Sequence, residues 1–212
     1  MAGMNGWIIA LLVSGFAALI VWLGVVQARK TRENLRVLTE KLGLKLDTAE
    51  PALGIFPRAP RAQGVIDGRI MELYTFTRGS GKSQTHWCAL RTRPQSAGAV
   101  EFDLSPQGLG SRVLGWFGVK EITVGHRAFD EAFFVRTNQP DLFGAALVPD
   151  IQARLLAAQQ AGVRGTFKLE QGALTYTEQG SFSSEALCAH FAPAAELLRD
   201  LADAAEACAR VG

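Results

Sequence analysis

Cysteine is scarce in this 212-residue chain, which has only Cys88, Cys188 and Cys208. Their number is odd and no two are spaced as CxxC, so the sequence shows neither a disulfide framework nor a zinc motif. His86 lies two residues before Cys88, but two ligands fall short of the three or four that a zinc site needs. We therefore predict no metal and no cofactor, and free thiols in a reducing compartment.

An excess of charge of one sign is missing from most of the chain. The whole sequence has 22 basic residues (Lys and Arg) and 20 acidic residues (Asp and Glu). Five of the basic residues, against two acidic ones, fall within residues 29–41. The remaining segment, residues 42–212, is close to neutral and has no basic stripe. This balance argues against a nucleic-acid-binding domain.

Complete catalytic motifs are also lacking. The segment RGSGKS at residues 78–83 is similar to a phosphate-binding loop, but that loop needs a glycine where this chain has Phe76. It also separates two predicted strands rather than a strand and a helix, which indicates a hairpin turn. His126, Asp130 and Glu131 could perform acid–base chemistry, but no nucleophile motif accompanies them. A solvent-exposed turn explains these three residues better than a hydrolase site does.

Formal charge is absent from Gly6 to Val26, and this stretch of 21 residues is the dominant feature of the sequence. At about 1.5 Å per residue, a helix of this length spans roughly 31 Å, the thickness of the hydrocarbon core of a bilayer. The preceding residues lack the basic region of a signal peptide, and no convincing small-residue cleavage site follows. We predict a retained, single-pass transmembrane helix.

Basic residues begin immediately after this stretch, at Arg29, Lys30 and Arg32. Because such residues stay on the cytoplasmic side, the C-terminal domain should be cytoplasmic and the N-terminus outside, in a bacterial inner (plasma) membrane. Trp7 and Trp22 lie near the two ends of the stretch, where indole rings favour the headgroup interface. These five residues are the predicted lipid contacts, and the lipid bilayer is one predicted partner.

Small residues recur at every fourth position within the stretch, at Ala10, Ser14 and Ala18. This spacing places them on one helix face, where two helix backbones can approach closely. The face is a candidate for packing against a protein partner or for self-association through the transmembrane helix. The alternative is that small residues are simply common in such helices.

The sequence pattern predicts three units: a transmembrane anchor (residues 1–28), a juxtamembrane helix with a proline-rich connector (residues 29–63), and an α+β domain (residues 64–212). Leu35, Leu38 and Leu42 form one apolar stripe on the juxtamembrane helix. That stripe should pack on the domain or on a neighbouring copy. Three prolines exclude regular helix from the connector.

Short strands dominate the first part of the domain, and helices come later. The Asp67–Gly68 pair separates two strands and is a strong hairpin signal, and a second hairpin is predicted around Gln171–Gly172. Pro149 is expected to end one helix and Asp150 to cap the next. A long helix with a buried apolar stripe is predicted over residues 184–210. The fold class is therefore α+β, with a mostly antiparallel sheet, a mid-chain helix and a long C-terminal helix.

An apolar, glycine-rich segment at residues 114–119 carries Trp116 and Phe117. Exposed aromatic residues in such a segment mark an interaction loop for a partner or a membrane. Burial against the sheet is the alternative interpretation, because large aromatic side chains belong mostly to cores.

The segment from Glu121, EITVGHRAFDEAFFVRTNQPDLFGAALVPDIQARLL, has a strand and a glycine before Phe-Asp, an aromatic strand, and a helix ending in Leu-x-Pro. In this pattern the chain resembles an uncharacterised family of bacterial membrane-anchored proteins, a domain of unknown function with N-terminal transmembrane helices. The resemblance covers residues 64–180 and rests on Phe129, Asp130, Phe133 or Phe134, Val135, Leu147 and Pro149. It implies a tethered domain in which Phe129 fills the core and Asp130 caps a turn or bonds backbone N–H groups.

The anchor, the small-residue face and the juxtamembrane stripe together favour one function. We predict a single-pass, membrane-anchored cytoplasmic domain that acts as a protein-interaction or assembly module, such as an accessory subunit of a membrane complex. The alternative is a module that binds a lipid headgroup or a small ligand at the membrane surface. A hydrolase using His126 and Asp130 is the third and weakest candidate, and we assign no catalytic residue.

Overall fold

The computed structural model describes residues 4–47, 60–108 and 120–211 of the chain. The helices in these ranges are α1 (Met4–Leu42), α2 (Arg127–Ala132), α3 (Pro140–Ala146), α4 (Pro149–Gln160) and α5 (Glu185–Val211). The strands are β1 (Lys45–Leu46), β2 (Arg61–Ile66), β3 (Arg69–Arg78), β4 (Thr85–Thr92), β5 (Phe102–Pro106), β6 (Lys120–Ile122), β7 (Phe133–Thr137), β8 (Thr166–Glu170) and β9 (Ala173–Gln179). One turn of 3₁₀ helix, Gly81–Ser83, lies between β3 and β4.

The nine described strands form one sheet in the order β1-β2-β3-β4-β9-β8-β5-β7-β6, and every pairing in it is antiparallel. Both predicted hairpins are confirmed. Asp67 and Gly68 have φ angles of 49° and 78°, and Gln171 and Gly172 have 52° and 71°. Positive φ at both central residues is what a two-residue turn needs to match the twist of the strands that it joins. The predicted α+β class is therefore correct.

Side chains on one face of the sheet alternate with those on the other, and helices such as α5 pack on one of these faces. On β3, Met71 and Leu73 are fully buried while Ile70 points the other way and is 62% exposed. The predicted stripe of α5 is buried against this inner face: Leu187, Phe191, Leu197, Leu198 and Leu201. The main core thus lies between the sheet and its covering helices.

The apolar stretch does not end in a flexible linker. α1 continues without interruption to Leu42, and Gly43 then turns the chain with a φ of 67°. Leu35 and Leu38 are each only 3% exposed and belong to the domain core, with Leu42 packed against it. The predicted stripe therefore packs on the domain, and the predicted boundary at residue 28 falls inside a continuous helix.

Two local predictions were wrong. Pro149 does not end a helix but opens α4, with Val148 at the position before it and no side-chain cap from Asp150. Proline suits a first helical turn because its missing N–H would be unpaired there and its φ is already helical. His126, Asp130 and Glu131 were predicted as a turn, but they lie at the start of the short helix α2 and within it. His126 and Glu131 are exposed as predicted, and Phe129 is fully buried as the resemblance implies.

Candidate functional site

The junction between α1 and the domain is formed by side-chain hydrogen bonds as well as by the leucines. Gln27, the first polar residue after the apolar stretch, donates from Nε2 to Ser183 Oγ at 2.8 Å. About two turns further along α1, Asn34 donates from Nδ2 to the carbonyl of Phe182 at 2.9 Å. The segment between β9 and α5 therefore sits directly beside the end of the apolar stretch. We call this side of the domain the proximal end.

The opposite side, the distal end, is defined by ion pairs between the β2–β3 hairpin and the last turns of α5. Arg199 bonds Asp67 at 2.6 Å, and Arg69 bonds Asp203 and bonds Glu206 at 2.6 Å. Arg69 is only 9% exposed, and its guanidinium lowers the pKa of the Glu206 carboxyl. β3 therefore begins at the distal end and runs toward the proximal end.

The β3–β4 hairpin extends past its neighbours at the proximal end. β3 and β4 pair with each other out to Arg78 and Thr85. β2 pairs with β3 only as far as Tyr74, and β9 pairs with β4 only as far as Trp87. Residues 75–86 thus form a two-stranded projection that no other described strand flanks. We call it the β3–β4 ribbon.

The tip of the ribbon is a compact turn rather than an open phosphate-binding loop. Gly79 has a φ of 88°, and a Cβ built on it would lie 2.5 Å from the Ser83 carbonyl oxygen. Only glycine fits this approach. Ser83 Oγ donates back to the Ser80 carbonyl at 2.9 Å, which ties the tip together. RGSGKS therefore joins two antiparallel strands, as the sequence predicted.

Aromatic side chains and a guanidinium stack on the outer face of the sheet at the base of the ribbon, where Trp87 adjoins it. The rings of Phe76 and Trp87 are stacked with centroids 6.3 Å apart. The Arg78 guanidinium carbon lies 5.1 Å from the Phe76 centroid and 4.7 Å from that of Trp87. The Trp87 indole N–H donates to Thr85 Oγ1 at 2.9 Å, so the indole is held flat along the strand. Such an arrangement presents aromatic area and positive charge together.

The predicted helix face and lipid contacts are exposed where the structure describes them. Ser14 and Ala18 are exposed, and Ser14 Oγ donates to the Leu11 carbonyl at 3.1 Å, so its hydroxyl is satisfied within α1. Trp22 is 60% exposed. Arg29, Lys30 and Arg32 are exposed on the next turns. The structure places all of these on one helix and leaves residues 11–26 of the apolar stretch uncovered by the domain.

Four predicted residues are not described at the side-chain level. Trp7 and Ala10 belong to the first turns of α1, whose side chains lie outside the described residues. Trp116 and Phe117 of the predicted interaction loop also lie outside them.

A polar network that the sequence did not reveal is buried close to the proximal end. The Tyr176 hydroxyl donates to the Glu178 carboxylate, and His190 Nδ1 lies 3.0 Å from Glu178 Oε1. Burial, together with the Glu178 charge, raises the pKa of the Tyr176 hydroxyl. Tyr176, Glu178 and His190 come from β9 and α5, and no sequence motif links them. The network connects the sheet to its covering helix.

The thiols near this network are in an environment that suppresses nucleophilic chemistry. Burial raises the pKa of Cys88 to about 12 and that of Cys188 to about 11. Because the thiolate is the reactive form, both thiols are unreactive near neutral pH. Cys88 Sγ lies 3.6 Å from the Gly180 carbonyl and His86 is exposed. No group of three His, Cys, Asp or Glu side chains in the described ranges is placed to hold a metal ion.

Asp130, the acidic residue of the hydrolase candidate, is hydrogen-bonded to backbone N–H groups. Asp130 accepts hydrogen bonds from the N–H groups of Val124 at 2.9 Å and Gly125 at 3.1 Å. His126 occupies the position before the first residue of α2, and Glu131 pairs with Arg127 at 2.7 Å. The structure thus gives Asp130 the backbone-bonding role that the sequence resemblance implies.

Comparison with known proteins shows a likeness in the fold. No protein-family model matches the chain, and no curated protein matches it. Among solved structures, the crystal structure of the mycobacterial trehalose monomycolate transport factor A, TtfA, is similar with a TM-score of 0.55. The two chains share 12% sequence identity, and the likeness covers 84% of this chain and 95% of TtfA. At this identity the likeness shows a shared fold.

Proposed function

We propose that this protein is a membrane-anchored accessory component of a membrane complex, in which its α+β domain serves as a protein-interaction or assembly module. The apolar stretch of α1 is long and apolar enough to cross a bilayer, and none of its side chains that the structure describes, residues 11–26, is buried against the domain. The basic residues after it favour a cytoplasmic domain and an outside N-terminus, in a bacterial inner membrane.

The observation that carries the proposal is the direct docking of α1 on the domain. Leu35 and Leu38 are core residues, and Gln27 already bonds the domain at the first position after the apolar stretch. A tethered enzyme gains reach from a flexible linker. Here the chain instead fixes both the height and the rotation of the domain relative to the bilayer. Fixed placement serves a subunit that must meet a membrane-embedded partner at a set position.

Two further observations support this proposal. The structural neighbour TtfA is a trehalose monomycolate transport factor, so the same fold occurs in a transport factor. On α1, the exposed Ser14 and Ala18 continue the spacing of Ala10, and the Ser14 hydroxyl is already bonded within the helix. This face therefore presents a small surface suited to close helix packing rather than an unsatisfied polar group.

The proposal is tested by purifying the tagged full-length protein from native membranes in a gentle detergent and measuring the stoichiometry of co-purifying proteins. Enlarging the small face with Ser14→Leu and Ala18→Leu should remove a stoichiometric partner. The matched control, Leu12→Val with Phe16→Leu, alters the opposite face at the same spacing and should keep it. A version whose residues 1–26 are deleted separates contacts of the helix from contacts of the domain. If none of these proteins retains a stoichiometric partner, the assembly function is wrong.

A further inference from the structure

We infer that the β3–β4 ribbon is a second membrane contact, which places its tip among the anionic phospholipid headgroups of the leaflet next to the domain. This inference rests on the proposed anchoring by α1 and adds to it a specific docking element. The position of the ribbon, its charge and its aromatic face each support it.

The position of the ribbon follows from how the elements align. β3 has ten residues and spans about 33 Å, and the part of α5 from Glu185 to Glu206 spans about 32 Å. The two elements are therefore of similar length and run side by side between the proximal and distal ends. α1 runs in the same direction as α5, because Gln27 bonds Ser183 while Leu42 and Arg199 line one cleft. The strands therefore point toward the side from which α1 emerges.

The reach of the ribbon brings its tip to the headgroup layer. The backbone N–H of Gly180 donates to the His86 carbonyl at 2.9 Å, so His86 is level with the segment that contacts Gln27. From there the ribbon continues for about 10 Å to its tip, at the rise of an extended strand. Gln27 directly follows the apolar stretch, and the polar layer on each side of a bilayer is roughly 5–7 Å thick. The tip therefore meets the layer of headgroups.

The charge of the ribbon matches that layer. Residues 75–86 contain no carboxylate, and Arg78 and Lys82 are exposed. Within the described ranges neither side chain forms an ion pair, and the same is true of the basic residues that follow the apolar stretch, Arg29, Lys30 and Arg32. Glu33 and Glu185 are the exposed acids on α1 and α5 near this end. The local balance is therefore strongly basic in a domain that is otherwise near neutral.

Several other arginines of the domain are paired with carboxylates, whereas the proximal cations are not paired with any described carboxylate. Arg61 and Arg91 bond Glu72, Arg69 bonds Asp203 and Glu206, and Arg199 bonds Asp67. Cations left without carboxylate partners on one side of a domain fit an external anionic surface. The half-buried Phe76 and Trp87 beneath Arg78 add aromatic groups of the kind that favour the membrane interface. A leaflet explains these features together better than an acidic protein partner, because the ribbon points toward the emergence of α1.

The test uses the full-length protein in nanodiscs of either pure phosphatidylcholine or a mixture with phosphatidylglycerol. An environment-sensitive fluorophore is attached at Ser80→Cys on the ribbon tip, and its quenching by spin-labelled lipid is measured. The native cysteines are buried, so labelling is selective. A probe at Ser14→Cys reports insertion of α1, and one at Lys45→Cys reports the distal end. We expect quenching at residue 14 in both lipids, at residue 80 in the anionic lipid, and at residue 45 in neither.

Charge-removal variants decide whether the ribbon cations cause the docking. Arg78→Gln with Lys82→Gln should lower the docked-to-undocked ratio of the residue 80 probe by roughly five-fold per charge removed, at the strength expected for basic residues near an anionic surface. The matched control, Arg93→Gln with Lys45→Gln, removes the same charge from exposed residues away from the ribbon and should leave the ratio unchanged.

The outcomes separate the two proposals. Quenching at residue 14 without quenching at residue 80 overturns the ribbon contact and leaves the anchoring standing. Quenching at residue 80 that is equal in both lipids and insensitive to the charge variants also overturns it. A change in the fluorescence of the residue 80 probe that appears only when another protein is added would assign the ribbon to that protein instead. Absence of quenching at residue 14 overturns the anchoring and the ribbon contact together.

Discussion

Replacing Leu38 by alanine tests whether the second half of α1 belongs to the domain core. Leu38 is 3% exposed. Burying a leucine side chain contributes about 1.5–3 kcal/mol, and its removal from a core costs about 2–5 kcal/mol once the remaining cavity is included. Because α1 packs on the domain from one side, the helix can shift to fill part of the space. We therefore expect a loss of about 2–3 kcal/mol in the free energy of unfolding.

The measurement is urea unfolding of the full-length protein in a mild detergent, followed by circular dichroism. Val37 is 58% exposed on the adjacent position of the same helix, so Val37→Ala is a matched control that should stay within about 0.5 kcal/mol of the original protein. A domain of ordinary stability has about 5–15 kcal/mol in total, so the difference between the two variants is readily resolved. Equal midpoints for Leu38→Ala and Val37→Ala would refute the docking of α1.

Three other outcomes follow from the structure. Burial raises the pKa of Cys88 to about 12, so the neutral thiol contributes its full stabilisation only below the pKa of an unfolded cysteine, and this contribution is lost as the pH rises toward 12. Between about pH 9 and 12, the free energy of unfolding of the original protein should therefore fall with pH more steeply than that of Cys88→Ala, by about 1.4 kcal/mol per pH unit. Urea titrations at a series of pH values measure this difference. Arg69→Gln should cost about 1–3 kcal/mol because it leaves Glu206, which is largely buried, without its guanidinium, whereas Arg127→Gln in an exposed pair should change thermal stability little. Asp130→Ala should lower the free energy of unfolding by about 1–3 kcal/mol, because two backbone N–H groups lose their acceptor. Urea unfolding measures this loss.

Local sequence signals predicted the elements whose causes are local. Asp67–Gly68 forms the turn that its composition predicts, because few residue types accept positive φ at both positions. The leucine stripe at Leu35 and Leu38 is buried because its spacing matches one helix face. Pro149 was misread because proline both ends helices and begins them, and the choice depends on which neighbouring segment packs on the core.

The candidate site could be predicted only in part. Arg29, Lys30 and Arg32 are visible as a charged flank in the sequence, but nothing there shows that Arg78 and Lys82 lie on the same side of the domain. That proximity depends on strand order and on how far each neighbour extends, which are long-range properties. The Tyr176–Glu178–His190 network was likewise invisible, because its members meet through the packing of β9 on α5.

We propose that a rigid connection to α1 sets the position of the domain for a membrane-embedded partner. The most direct measurement inserts Gly-Ser-Gly-Ser between Val26 and Gln27 and compares co-purification of the stoichiometric partner from native membranes. The same insertion in the β8–β9 turn after Gln171 serves as the control. We predict that the first protein stays in the membrane fraction but loses the partner, while the control keeps it. Full retention of the partner with the flexible insertion would show that partner binding does not depend on a rigid connection to α1.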